Sequence, residues 1–197
     1  MEPCYHVTVD GVMRQYPAGT PYQDIAREFQ AAYPSDILLV ERNGKLCELS
    51  KRLDRDCTLN MITVQDKPRL QTYERSAIFL MLKAFYDMIG QDQIQQICVE
   101  YSLSHALYIR VKGQFQLDEA LLEQVESRMR ELVQKDIPIQ KHSIPTDDAV
   151  EMFEARKLHD KAKLLRCRIT SRVNYYSLED FSDYFYGYMV PDTSYLK

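Results

Sequence analysis

The apolar positions of residues 73–89, YERSAIFLMLKAFYDMI, run almost the whole way round a helix. Ala77, Met81, Ala84 and Met88 fall at i, i+4, i+7 and i+11, and Ile78, Leu82, Phe85 and Ile89 repeat that spacing one residue on. The period predicts a buried helix with two adjacent faces that need cover. Arg75 and Phe79 are four apart, so they lie one above the other on one side of it. Upstream the pattern shortens. Residues 5–9 and 12–16 flank Asp10-Gly11, and residues 37–42 and 45–49 flank Asn43-Gly44, which predicts two β-hairpins with type I′ turns. Between the hairpins, Thr20, Pro21 and Gln23 match a capping box with Pro at the first helical position. Ile25, Ala26, Phe29, Ala32 and Tyr33 keep helical spacing until Pro34, and residues 58–64 read as a further strand.

Residues 65–72, polar and containing Pro68, are the expected domain boundary. Beyond the 73–89 helix, strand-like runs at 94–100 and 106–112 surround a turn at 102–105. Residues 118–136 predict an amphipathic helix with Leu121, Leu122, Val125, Met129, Leu132 and Val133 on one face, and with Glu126/Arg130 and Glu131/Lys135 as i, i+4 pairs. A strand at 139–144 follows, then a short helix capped by Thr146 with Asp147 and Asp148 in its first turn. A basic, partly helical stretch at 157–166 leads to tyrosine-rich strands within 172–190. The expected fold class is α+β, in two domains at 1–66 and 67–197.

Composition narrows the function classes. At 197 residues and 45% hydrophobic the chain can bury a real core, while its net charge of -4 gives no overall pull toward nucleic acid or an anionic membrane. The two halves agree: residues 1–66 hold seven Lys/Arg against ten Asp/Glu, and residues 67–197 hold 18 against 19. Lys51, Arg52 and Arg55 cluster, but Asp54 and Asp56 are interleaved, as in a solvated loop. No apolar run is long enough to span a bilayer and the start, MEPCYHV, has no signal-peptide core, so a cytoplasmic location is expected. Five cysteines and four histidines show no metal-ligand spacing, so free thiols and no metal site are expected. The glycines at 11, 19, 44, 90, 113 and 187 never stand five apart, which excludes the P-loop pattern.

The strand and helix order of the first domain is that of a β-grasp, the ubiquitin-like arrangement, and the run VTVDGVMRQYPAGTPYQDIAREF resembles the TGS domain of threonyl-tRNA synthetases and some GTPases. Residues 72–197 resemble the domain that follows TGS in threonyl-tRNA synthetases and recurs in alanyl-tRNA synthetases. In that family the fold hydrolyses mischarged tRNA with a His-x-x-x-His pair and a Cys-x-x-x-His pair, which hold zinc in the alanyl branch. Here the matching stretches are RSAIFLM and DYFYGYMVPDT, and the four positions fall on Arg75, Phe79, Phe185 and Met189. Ser76, Leu80, Asp183, Gly187, Val190, Pro191 and Thr193 fit the surrounding frame. The resemblance therefore implies the fold without the activity: no catalytic residue and no zinc, because a phenyl ring or thioether cannot do that proton or metal chemistry.

The combination, ending in DYFYGYMVPDTSYLK, is also similar to the N-terminal half of certain bacterial nucleoside kinases of the uridine kinase type. That likeness implies a non-catalytic accessory or regulatory region whose kinase domain, with its ATP and Mg, would follow this chain. Its partner would be that kinase domain, with homo-oligomerisation as a further role. The alternatives are a tRNA- or RNA-interacting module, against which the charge balance counts, and a divergent deacylase using Asp183, His142 or His159. Phe79 is expected to pack against Phe185 or Met189 as an apolar plug, with Arg75 either snorkelling to solvent or meeting a carboxylate, Asp183 first.

Overall fold

The computed structural model describes residues 3–63, 67–103 and 106–196. By contact the chain forms two compact units: Met1–Ile78 with Val133–Gln140 and Gly187–Lys197, and Phe79–Leu132 with Lys141–Tyr186. This grouping follows contacts rather than the 1–66 and 67–197 boundary. Residues 65 and 66 of the expected bridge, and Ser104 and His105 of the expected turn, lie outside the described residues. Together the units have an α+β architecture, with helices and, among the described residues, three separate sheets.

The first unit is built on β1 (Cys4–Val9), β2 (Val12–Pro17), α1 (Tyr22–Phe29), β3 (Ile37–Arg42), β4 (Lys45–Glu48) and β5 (Cys57–Thr63). The strands make one five-stranded sheet of order β2-β1-β5-β3-β4, in which β1 and β5 run parallel and the other pairs antiparallel. Both hairpin turns have the predicted left-handed centres, Asp10 at φ 49° before Gly11 at 80° and Asn43 at φ 48° before Gly44 at 80°. α1 lays Tyr22, Ile25 and Ala26 on a core with Val7, Val9, Val40, Leu49 and Leu59.

The capping box does not form. Thr20 donates its hydroxyl to Pro17 O at 2.8 Å, and the helix starts one residue later, after Pro21. The free N–H groups of Tyr22 and Gln23 are met by Lys51 O and Leu49 O, both at 2.9 Å. Main-chain carbonyls from the segment after β4 thus do what the side-chain cap was expected to do.

The long helix α2 is Lys67–Ile89, six residues longer at its start than the apolar period indicated. Its buried residues include Thr72, Ser76, Phe79, Leu80, Leu82, Lys83, Ala84, Phe85 and Ile89, whereas Met88 is 40% exposed. One of the two expected faces is therefore left partly to solvent. The second unit continues with β6 (Ile94–Leu103), β7 (Ala106–Gly113), α3 (Glu119–Gln134), β8 (Gln140–Pro145), α4 (Thr146–Ala155), α5 (His159–Arg166), β9 (Arg172–Leu178) and β10 (Phe181–Asp183).

β6 and β7 form a separate antiparallel ribbon, and β10-β9-β8 a three-stranded sheet. On α3 the Glu126–Arg130 pair forms at 2.6 Å, but Glu131 is taken by Arg128 at 3.0 Å rather than by Lys135. Thr146 is the first residue of α4 and not its cap, because its hydroxyl donates to Thr170 O. Among the described residues no helix is long and apolar enough to cross a membrane.

Candidate functional site

In the first unit, Arg75 on α2 donates from Nη1 to Tyr188 O at 2.7 Å. Its guanidinium lies over Gly187, which has φ 113° and no side chain to obstruct it. The backbone conformation favours glycine, and a Cβ at 187 would stand 2.6 Å from Arg75 Cζ, so the guanidinium would have to shift to admit one. Gly187→Ala is expected to lower stability by about 2 kcal/mol from the left-handed conformation and crowding together, read as a fall in the urea midpoint. Adding Arg75→Ala should recover the crowding part and leave the conformational part.

Ser76, one residue along α2, fixes the chain opposite. Its Oγ accepts from Val190 N–H at 3.0 Å, lies 2.7 Å from Thr72 O and stands 3.4 Å from Met189 Sδ. Met189 N–H in turn reaches Glu48 Oε1 at 3.1 Å. Thr193 exchanges two bonds with Ile137: it donates N–H to Ile137 O at 3.0 Å and accepts at Oγ1 from Ile137 N–H at 2.9 Å. Ser76 and Thr193 thus bind main chain. They shape the backbone; none of these contacts presents a reactive group.

In the second unit, Phe79 is fully buried and packs its ring edge-on to Phe185, with centroids 5.5 Å apart and planes at 76°. Phe181 stacks obliquely on Phe79 at 5.3 Å and on Tyr86 at 5.3 Å, extending the cluster along α2. Burial pushes the Tyr86 phenol well above its ordinary value, with the negative charges of Asp183 and Asp160 acting the same way. Phe79, Phe181, Phe185 and Tyr86 thus form one aromatic cluster.

Asp183 ends β10 and is 4% exposed. The partner expected for Arg75 is engaged elsewhere: Asp183 Oδ2 faces Lys161 Nζ at 3.2 Å, and Oδ1 accepts from Tyr184 N–H at 2.6 Å. Arg75 is satisfied by a carbonyl instead. Burial pushes the Asp183 carboxyl above the usual carboxylate range although Lys161 and the Tyr184 N–H pull it down. His142 on β8 is hydrogen-bonded to Ser177 Oγ at 2.7 Å and stacked on Tyr175 at 4.7 Å, and His159 is exposed at the start of α5. Neither histidine meets Asp183, so the structure assembles no acid–base pair from the three deacylase candidates. Among the described residues no group of three His, Cys, Asp or Glu could hold a metal ion.

Sequence reasoning missed Lys83, one turn after Phe79. Its side chain is 4% exposed, and Nζ reaches Asp87 and Asp180 at 2.7 Å and Glu179 at 3.4 Å. Arg128 of α3 binds the other oxygen of Asp87 at 2.9 Å. Beside this hub lies a cavity of about 330 Å³ lined by Tyr86, Gln91, Arg156, Phe181 and Ser182. The available signal was a lysine in the middle of the apolar period of residues 73–89, since such a cation requires partners.

No family model matches the chain. It is similar to the threonine–tRNA ligase of Francisella tularensis subsp. novicida (strain U112), at 24% identity over 188 residues, and to that of subsp. holarctica (strain OSU18), at 23%. Each match covers 95% of this chain and 29% of the relative, so the chain spans less than a third of the length of the relatives it matches. The similarity is to the N-terminal region of those ligases and supports a module related to threonyl-tRNA synthetase. It favours that reading over the nucleoside kinase accessory role.

Proposed function

We propose that the chain is a non-hydrolysing recognition module of the threonyl-tRNA synthetase type. It comprises a TGS-like β-grasp over 1–66 and an editing-type α+β domain over 67–197 whose reactive positions have become packing positions. The sheet order β2-β1-β5-β3-β4, with a parallel central pair and one helix across it, supports the β-grasp. The observation that carries the loss of hydrolysis is the edge-on contact of Phe79 and Phe185 at 5.5 Å, on positions where the family carries a proton-transferring or metal-ligating side chain. Two phenyl rings exclude water and can neither accept a proton nor polarise an ester.

Incubating the full chain with a mischarged aminoacyl-tRNA tests this. Ester loss should match the buffer blank, and protein-dependent hydrolysis that scales with concentration would overturn the reading. A second reading, service to a nucleoside kinase domain, rests on the run DYFYGYMVPDTSYLK. A parent polypeptide that continues into a P-loop domain, with kinetics altered by removing residues 1–197, would support it, and ATP and Mg would belong to that domain.

A further inference from the structure

The cavity beside Lys83 has an uneven lining. It lies wholly within the second unit, at the C-terminal end of α2, and takes about 330 Å³ among Tyr86, Asp87, Gln91, Arg156, Asp180 and Phe181. Its acceptors are already engaged. Asp87 gives one carboxylate oxygen to Lys83 Nζ at 2.7 Å and the other to Arg128 Nε at 2.9 Å, and Asp180 gives one of its own to Lys83 at 2.7 Å. The second oxygen of Asp180 is left to water, because that side chain is 87% exposed.

Two donors are left over. Among the described residues the half-buried Arg156 guanidinium meets no carboxylate or other acceptor, and the Tyr86 hydroxyl has no hydrogen-bond partner. Burial keeps the Tyr86 phenol protonated, so it lines the cavity as a neutral donor and not as a charge. Arg156 is also held in place. Gln91 Nε2 donates to Arg156 O, and the neighbouring Lys157 pairs with Asp92 at 2.6 Å, which pins the backbone under the guanidinium to the segment that leaves α2. The same cavity has an aromatic wall, Tyr86 and Phe181, with ring centroids 5.3 Å apart and planes at 33°. Fixed donors beside an apolar wall are what orient a small ligand in a pre-formed hollow.

We propose that this cavity binds a small organic anion, a carboxylate carried on a flat apolar body, with its head on Arg156 and the Tyr86 hydroxyl and its body against the rings of Tyr86 and Phe181. A guanidinium fork matches a carboxylate through two parallel hydrogen bonds, and the phenol supplies a third. A cationic ligand would need a free acid, and Lys83 and Arg128 have taken both oxygens of Asp87. At roughly 30 Å³ for each water-sized group, the hollow admits about ten heavy atoms, the size of benzoate. Such binding is independent of whether the chain recognises or hydrolyses an aminoacyl-tRNA.

Titration of the full chain with sodium benzoate at fixed ionic strength, followed by calorimetry or ligand-detected NMR, tests it. Saturable one-site binding is expected, with a Kd on the order of 0.1–1 mM for a ligand of this size. Arg156→Gln should weaken it about tenfold or more, and Tyr86→Phe, which keeps the ring, about threefold. Neither the guanidinium nor the hydroxyl has a partner among the described residues, so both variants should keep the wild-type urea midpoint. Benzamide, the neutral isostere, should bind about tenfold more weakly than benzoate. No saturable binding of benzoate overturns the proposal, as does binding that both substitutions leave unaltered. Equal binding of inorganic phosphate overturns it in favour of a bare anion site, and tighter binding of benzylamine overturns it in favour of an organic cation held by Asp180.

Discussion

Phe79→Ala is expected to lower the unfolding free energy by about 3–5 kcal/mol, the range for truncating a fully buried phenylalanine. The side chain has no exposed surface and makes ring contacts with both Phe181 and Phe185, so its loss removes apolar burial and leaves a cavity. The two partners sit on β10 and just after it, anchored by the main-chain pairing of Phe181 with Leu178, and cannot collapse far into the gap. Urea unfolding should show a lower midpoint at unchanged slope. Phe79→His should cost a comparable amount, because an imidazole there is surrounded by phenyl rings and buried without a polar partner. A cost for Phe79→Ala below about 1 kcal/mol would mean that the rings do not form a packed core.

The second large effect is expected at Lys83. Lys83→Met removes the cation from among Asp87, Asp180 and Glu179, leaving three carboxylates facing one another. Breaking a fully buried pair costs about 3–5 kcal/mol; here Asp180 and Glu179 side chains are 87% and 39% exposed and can turn back to water, so about 2–3 kcal/mol is expected. Burial pushes the Lys83 ammonium down, but the hydrogen bonds it donates to Asp180 and Asp87 outweigh that and leave the group above its usual 10.5. A raised cation contributes stability that is fully present below pH 10.5 and is lost as pH rises through its folded value.

The hydrogen bond to Lys83 holds the Asp180 carboxyl below its ordinary 3.8, against the smaller effect of burial. Its contribution is present above pH 3.8 and lost as pH falls through the depressed value. Asp183 acts in the opposite sense: burial raises its carboxyl, so its contribution is present at low pH and is lost as pH rises through the folded value. The difference between wild type and Lys83→Met isolates the hub from Asp183. That difference should be flat between about pH 5 and 8 and should shrink below the carboxylate range. A difference that instead grows toward acid pH would contradict the assignment of Lys83 as the partner of Asp180.

Sequence by itself determined the local elements. Asp10-Gly11 and Asn43-Gly44 fixed both hairpins of the first sheet because φ > 0 at two successive residues is a requirement of the chain, not of its neighbours. The 3.6-residue period similarly fixed α2 and α3. That Phe79 and Phe185 can neither transfer a proton nor bind a metal was legible too, since such a capacity is a property of the residue type.

What only the tertiary structure decided was which groups meet. Thr20 and Thr146 carry good capping chemistry, yet Lys51 O, Leu49 O and Thr170 O offered partners from distant sequence and the hydroxyls did not cap. Arg75 took the Tyr188 carbonyl, and Asp183 went to Lys161 on α5, which no spacing along the chain relates to it. Lys83 could be read as an anomaly in an apolar helix but not assigned its acids, because Glu179 and Asp180 reach it through a turn with Glu179 at φ 54°. Period and turn chemistry act over a few residues and are written in them. Pairing of buried charges and orphan main-chain groups is settled by desolvation, which exists only once the chain has closed around them.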